Sequence, residues 1–245
     1  MLTRLDPSTH TLRDNGQFQI RRIHPGTMLG NPADGAFGGL GLVDHAQLSP
    51  GLTVRMHEHR NDEIISYLRQ GAMVHRDSSG APEEVRPNRL MVMNAGSGFS
   101  HEEHVPGPDT VRMLQIFVRP HSPELTPNVQ FAELADVHSM NSWRLLAGPE
   151  GSGAPSTVRQ EVVLHDARLN AGHSIALPQR SGFDGWLYVF DGAVILGGQR
   201  LETNDAVAIA GETELAVHAE TTSDLVLFLA DRTAPGTRAG TLSGQ

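Results

Sequence analysis

From Phe18 onward the chain alternates short apolar runs with Gly, Pro, Asn and Asp. In the first half the runs are Phe18–Ile23, Gly39–Val43, Leu52–Met56, Ile64–Leu68, Leu90–Met93 and Met113–Val118. Each is short and bounded by turn formers, which predicts antiparallel strands rather than helices. Pro50-Gly51 predicts a tight turn, and Asp77-Ser78-Ser79-Gly80 a hairpin turn. Residues 1–17 are polar and predict a loose arm or an edge segment. Residues 121–157 are rich in Pro and Gly and predict a linker with a short helical piece. Apolar runs then return from residue 158 to 231. The stretch 232–245 carries no core-forming residues and is expected to be a flexible tail.

The two halves resemble each other. Glu63-Ile-Ile-Ser-Tyr-Leu-Arg-Gln-Gly71 is echoed by Asp184-Gly-Trp-Leu-Tyr-Val-Phe-Asp-Gly192. Both run from an acid through apolar residues to a glycine. The segments ending Ala95-Gly96 and Ala210-Gly211 likewise each close an apolar strand. A repeat at this long period predicts a duplicated domain rather than a solenoid. The expected fold is all-β: two similar antiparallel barrels or jelly rolls, residues 18–120 and 158–231.

Composition narrows the chemistry. The 245 residues include no cysteine, which excludes disulfides, thiolate zinc sites and cysteine nucleophiles. A formal net charge of −9 argues against direct nucleic-acid binding and against a polybasic membrane patch. No apolar stretch is long enough to span a bilayer, and the polar opening residues lack a signal-peptide core. A soluble cytoplasmic protein is expected. No nucleophile elbow, Walker loop, dinucleotide fingerprint or zincin pattern is present.

The candidate chemistry lies in two short histidine segments. In His57-Glu58-His59 strand alternation puts both histidines on one face. In His101-Glu102-Glu103-His104 it pairs His101 with Glu103. If the two segments are neighbours, three imidazoles and one carboxylate converge. That donor set suits Fe(II) first, and also Mn, Co, Ni, Cu or Zn. With 13 histidines in the chain, chance alone gives about 0.7 His-x-His pairs, so the pair by itself is weak. His218-Ala219-Glu220 has a similar form without a His-x-His before it in its own half, and is taken as a strand accident.

The context between the pieces is specific. His57, His59, Arg60, Glu63, Tyr67, Gly71, His75, Arg76, Asp77, Ser78, Gly80, Ala95, Gly96, Gly98, His101 and Glu103 stand in one ordered array. It resembles the signature of the pirin-like proteins of the bicupin superfamily. The resemblance implies two cupin-type barrels, with the metal held by His57, His59, His101 and Glu103. It also implies kinship with quercetin 2,3-dioxygenases, which open a flavonol with dioxygen. The activity expected is therefore that of an oxidoreductase acting on a flavonol or similar aromatic molecule, with Glu103 as general base. The resemblance equally covers regulatory members that bind a protein partner and sense the metal's state, and a cupin whose metal is only structural is a third reading. Glu63 is expected either to hydrogen-bond a ligand imidazole or a bound water, or to be an edge carboxylate. His75 is expected to be structural and His104 to lie on the surface. Phe99, Met91 and Met93 are candidates to line an apolar pocket above the metal, with one of the two methionines facing elsewhere; core packing explains all three as well.

Two departures from the family form stand out. Glu58 occupies the place of a usual Pro, and Asn61-Asp62 that of a usual Gly-Phe. In the second half, Pro178 and Arg180 fall where His57 and His59 stand, so no metal of this type is expected there.

Overall fold

The computed structural model describes residues 1–30, 34–77, 80–212 and 214–245. Their strands form two seven-stranded and two four-stranded sheets. In spatial order the first large sheet holds Asn128–Glu133, Arg89–Asn94, Glu63–Gln70, Val111–Val118, Leu40–Leu48, Phe18–Ile23 and Thr11–Asp14. The second holds Leu2–Arg4, Ala206–Ile209, Asp184–Asp191, Ser223–Ala230, Val162–Leu169, Arg144–Gly148 and Ser156–Thr157. The two halves of the chain repeat the same order, and the internal repeats Glu63–Gln70 and Asp184–Asp191 both stand third. Each large sheet closes over a small one. The first small sheet is Thr53–His59, Phe99–His104, Met73–Asp77 and Glu83–Val85, and the second is Ser174–Ala176, Ala216–Ala219, Ala193–Leu196 and Gln199–Glu202.

Strand parity explains the long apolar runs. Ile64 and Leu68 turn into the first barrel, against Met93 and Phe117 or Met73 and Val111. Ile65 and Tyr67, on the other face, join a core shared by the two large sheets with Trp186, Tyr188, Phe190 and Phe228. Strands covered on both faces need no polar side, so Ile64–Leu68 reads as nearly continuous hydrophobe. Burying such aromatic side chains fully contributes roughly 1.5–3 kcal/mol each, which makes this shared layer a main source of stability.

Two expectations are corrected, and the edge-segment alternative for residues 1–17 is the one observed. Residues 121–157 are not a linker with a helical piece: they hold the strands Asn128–Glu133, Arg144–Gly148 and Ser156–Thr157. The first of these extends one large sheet, and the other two belong to the second, so Pro and Gly here mark turns between short strands. The stretch 232–245 is not loose. It returns to the first barrel, where Thr237 donates its N–H to Pro120 O and Thr241 to Arg60 O, and Ser243 is fully buried. Residues 1–17 form edge strands on both sheets, Leu2–Arg4 on one and Thr11–Asp14 on the other. Part of the predicted Asp77–Gly80 turn, residues 78 and 79, lies outside the described residues. Among the described residues no helix is long and apolar enough to cross a membrane.

Candidate metal centre

One small sheet brings the candidate residues together. In its ladder His101 stands opposite His57 on one side and opposite Asp77 on the other, and Glu103 stands opposite His75. A register shift between His101 and Glu103 marks a bulge in this pairing, of the kind that re-aims side chains near functional sites. His57 is half-buried, while His59, His101 and Glu103 are buried. Gly96 provides the sharp bend that feeds this strand. Its φ is +50°, and a Cβ there would lie 1.9 Å from Leu125 O.

The three imidazoles each present a nitrogen within 4.8 Å of the others. Hydrogen bonding assigns which nitrogen that is. His57 Nδ1 lies 2.8 Å from Arg55 O, a pure acceptor, so Nδ1 carries the proton. His59 Nδ1 lies 3.3 Å from the Asp62 carboxylate and donates to it. For His101 the proton is fixed through a chain. Asp77 Oδ2 lies 2.9 Å from His75 Nε2, so that nitrogen donates and His75 Nδ1 accepts. His75 Nδ1 in turn lies 3.3 Å from His101 Nδ1, which therefore donates. That leaves Nε2 of each ring with the bare lone pair, on three rings whose ligand nitrogens lie within 4.8 Å of one another. His101 Nε2 and His57 Nε2 stand only 3.1 Å apart, where two lone pairs repel. A shared cation resolves that repulsion. Donors each about 2.1 Å from one ion can be up to about 4.2 Å apart, so the pair fits.

Electrostatics agree. Burial, followed by His57, His59 and His75, pushes His101 down to about 2. Burial also lowers His57, against the opposing pull of the Arg55 carbonyl. Neutral imidazoles are what a metal requires. Glu103 is pushed up to about 7 by burial, although His59 and Gln115 both pull the other way. Its carboxylate accepts from Gln115 Nε2 at 3.3 and 3.5 Å. It occupies the same wall but does not join the 4.8 Å triad.

Glu63, expected either to bond a ligand imidazole or bound water or to be an edge carboxylate, is instead buried in an ion pair with Arg159. By parity it shares the face of Ile65 and Tyr67 and points out of the barrel. Both its oxygens are taken by Arg159, Nε at 2.5 Å and the backbone N–H. Asp62, one residue earlier, is the acid that reaches His59. His75, expected to be structural, stands within hydrogen-bond reach of His101, Nδ1 to Nδ1 at 3.3 Å. Parity held a signal for it: in Met73–Asp77 the buried Met73 predicts that His75 and Asp77 share its inward face. Gln115 lies between the inward Met113 and Phe117 in the same way. Met91 and Met93 are two apart and both bury inside the barrel; neither faces elsewhere. Phe99 packs with Met93 and stacks near His75, rings 6.2 Å apart. Beside it a cleft of about 630 Å³ is lined by Glu58, Gly98, Phe99, Ser100 and Val129.

In the second barrel the equivalent position holds no histidine, and charged side chains such as Asp184 and Arg232 stand among its apolar ones. Pro178 and Arg180 line a cavity of about 620 Å³ with Leu177, Phe183, Leu227 and Leu229. His218 is tied to Ser174 Oγ at 2.8 Å, and no second metal-type cluster occurs among the described residues.

Comparison with known proteins places these features in context. Residues 22–118 match the family model Pirin, and residues 145–229 match the model described as quercetinase C-terminal cupin domain. The chain is 27% identical over 197 residues to a quercetin 2,3-dioxygenase of Escherichia coli K12, covering 78% of this chain and 82% of that protein. It is 27% identical over 215 residues to a pirin-like protein of Caulobacter vibrioides, covering 87% and 93%. The crystal structure of YhhW from Escherichia coli superposes with a TM-score of 0.82 over 94% of this chain and 97% of that one, at 22% identity. A structure of the same bacterial pirin in complex with nickel(II) gives a TM-score of 0.80 over 96% and 100%, at 23% identity.

Proposed function

Because the chain belongs to the pirin-like bicupins, we propose that it is a metal-dependent dioxygenase of the quercetin 2,3-dioxygenase kind, acting on a flavonol or similar aromatic small molecule. The observation that carries this is the convergence of three bare Nε2 lone pairs, each imidazole held by a hydrogen bond at its far nitrogen. His57, His59 and His101 would hold a divalent transition ion, with Glu103 as a fourth donor or as the base beside it. Fe(II) is our first choice, and Mn, Ni, Co, Cu and Zn suit the same donors. When bound, such an ion supplies Lewis acidity and a common template for a phenolic substrate and dioxygen.

The protein's own residues supply the rest. Glu103, raised to about 7 by burial, is matched to taking a phenolic proton at neutral pH. Gln115 holds its carboxylate in place through two contacts. Phe99, Met93 and Phe117 keep the floor of the site dry. The neighbouring cleft has a volume in the range of small-molecule pockets.

The test is metal content of untagged protein, followed by oxygen uptake with flavonols. About one equivalent of a redox metal is expected in the wild type, with strong loss in His57→Ala and Glu103→Ala. Failure to bind stoichiometric metal after reconstitution with Fe(II), Mn, Ni and Cu would remove the mechanism.

A further inference from the structure

The Asn61-Asp62 departure from the family form puts an acid beside His59 whose own supports the proposed chemistry does not use. Asn61 turns the chain with φ +53°, a conformation that Asn tolerates better than most residues, and this corner sends Asp62 inward. The Asp62 side chain is completely buried. A buried carboxylate persists only when its lone pairs are satisfied. Here the satisfying groups come from two places. His59 Nδ1 lies 3.3 Å away on one side. On the other side stand Leu242 N at 3.1 Å, Ser243 N at 2.9 Å and Ser243 Oγ at 2.7 Å, from a segment about 180 residues further along the chain.

That segment is itself firmly seated. Ser243 O accepts from Arg119 Nε at 2.6 Å, and Arg119 pairs with Asp34. Thr241 N donates to Arg60 O at 3.0 Å, and Arg60 N donates to Thr241 Oγ1 at 2.9 Å. Leu242 packs on the cluster of Leu42, Ile64, Met93 and Phe117 beneath the histidines. The fit leaves no slack: a Cβ on Gly240 would stand 2.2 Å from Ser243 Oγ and 2.5 Å from Asp62 Oδ1, and one on Gly41 would stand 2.6 Å from Ser243 O. The donors of residues 242 and 243 therefore decide where the Asp62 carboxylate points.

We propose that residues 241–243 are part of the metal centre: by holding Asp62 against His59, this remote segment fixes the tautomer and aim of that imidazole and so sets the affinity of the first barrel for its ion. Asp62 is then a positioning residue. The proposal rests on the metal reading of His57, His59 and His101. Partners of this outer kind change metal affinity typically about 10–100-fold when removed.

The experiment measures Ni(II) affinity of the full chain by competition with a chromophoric chelator, beside the melting temperature of the metal-free protein. Asp62→Asn keeps an oxygen for Ser243 but turns an N–H toward the His59 N–H. It is expected to weaken Ni(II) binding about 10–100-fold. Removing residues 241–245 is expected to weaken it to a similar degree, and the two changes together no further, because both act through one carboxylate. Ser243→Ala, which keeps the backbone donors and the fold, is expected to give a smaller loss in the same direction. Variants that lower the metal-free melting temperature yet bind Ni(II) with wild-type affinity would show a structural role only and overturn the proposal. Additive losses would overturn the coupling through Asp62. A wild-type chain that binds no Ni(II) would overturn the metal reading itself, and the proposal with it.

Discussion

His45 offers a quantitative test of the shared core. It lies on Leu40–Leu48, only 8% exposed, stacked on Phe190 with ring centroids 4.4 Å apart and bonded through Nδ1 to Tyr188 OH at 2.8 Å. Its Nε2 has no partner. Burial, with help from Arg112, pushes its pKa from 6.5 down to about 4. The unfolded chain therefore takes up a proton on this residue in the window between 6.5 and 4, and the folded chain does not. Above that window both forms are neutral and His45 contributes no pH dependence. As pH falls through it, stability is lost. Each pKa unit is worth about 1.4 kcal/mol, so the loss is about 2 kcal/mol by pH 5 and about 3 kcal/mol by pH 4. His45→Gln keeps a hydrogen-bonding side chain but cannot titrate. Urea unfolding followed by fluorescence reads the right place, because Trp186 lies in the same core. The stability difference between wild type and His45→Gln should shift by about 2 kcal/mol between pH 7 and pH 5. Parallel curves for the two proteins would refute the argument.

Two further perturbations separate scaffold from site. Glu63→Gln breaks a pair in which the Glu63 side chain is wholly buried, and should cost about 3–5 kcal/mol in thermal unfolding while metal content stays at the wild-type level; metal loss without destabilisation would return Glu63 to the site. Gly96→Ala forces a Cβ against Leu125 O at a positive φ, so it should lower the melting temperature and misplace His101, read as reduced metal content; a variant indistinguishable from wild type would contradict the described bend.

What could be read from the sequence follows the physics of strands. Alternation needs only neighbours along the chain, so the common face of His57 and His59, and of His101 and Glu103, was visible, as was the echo of Glu63–Gly71 in Asp184–Gly192. The same rule also puts Met93 on the face of Met91, and His75 on the face of Met73. Other features depend on partners distant in sequence. Nothing near Glu63 announces Arg159, and nothing near Asp62 announces Ser243. Residues 232–245 looked loose because composition measures how much apolar surface a segment can bury. This segment is fastened instead by hydrogen bonds to one buried carboxylate and one buried guanidinium. The Pro- and Gly-rich stretch 121–157 misleads for a related reason: strands of two to six residues leave little periodicity to detect.

The crossed edges have a consequence for how the molecule can be divided. Leu2–Arg4 completes the sheet of the second barrel, and residues 237–243 lock onto the first. During synthesis Leu2–Arg4 must wait for Ala206–Ile209, and the loop beside His59 stays untied until residues 241–243 have been made. A cut between the barrels would therefore not release two self-sufficient modules, since each fragment would carry a strand or strap that belongs to the other. Gene fission, domain grafting and circular permutation at that boundary all meet the same obstacle: the chain is duplicated in form but indivisible in assembly.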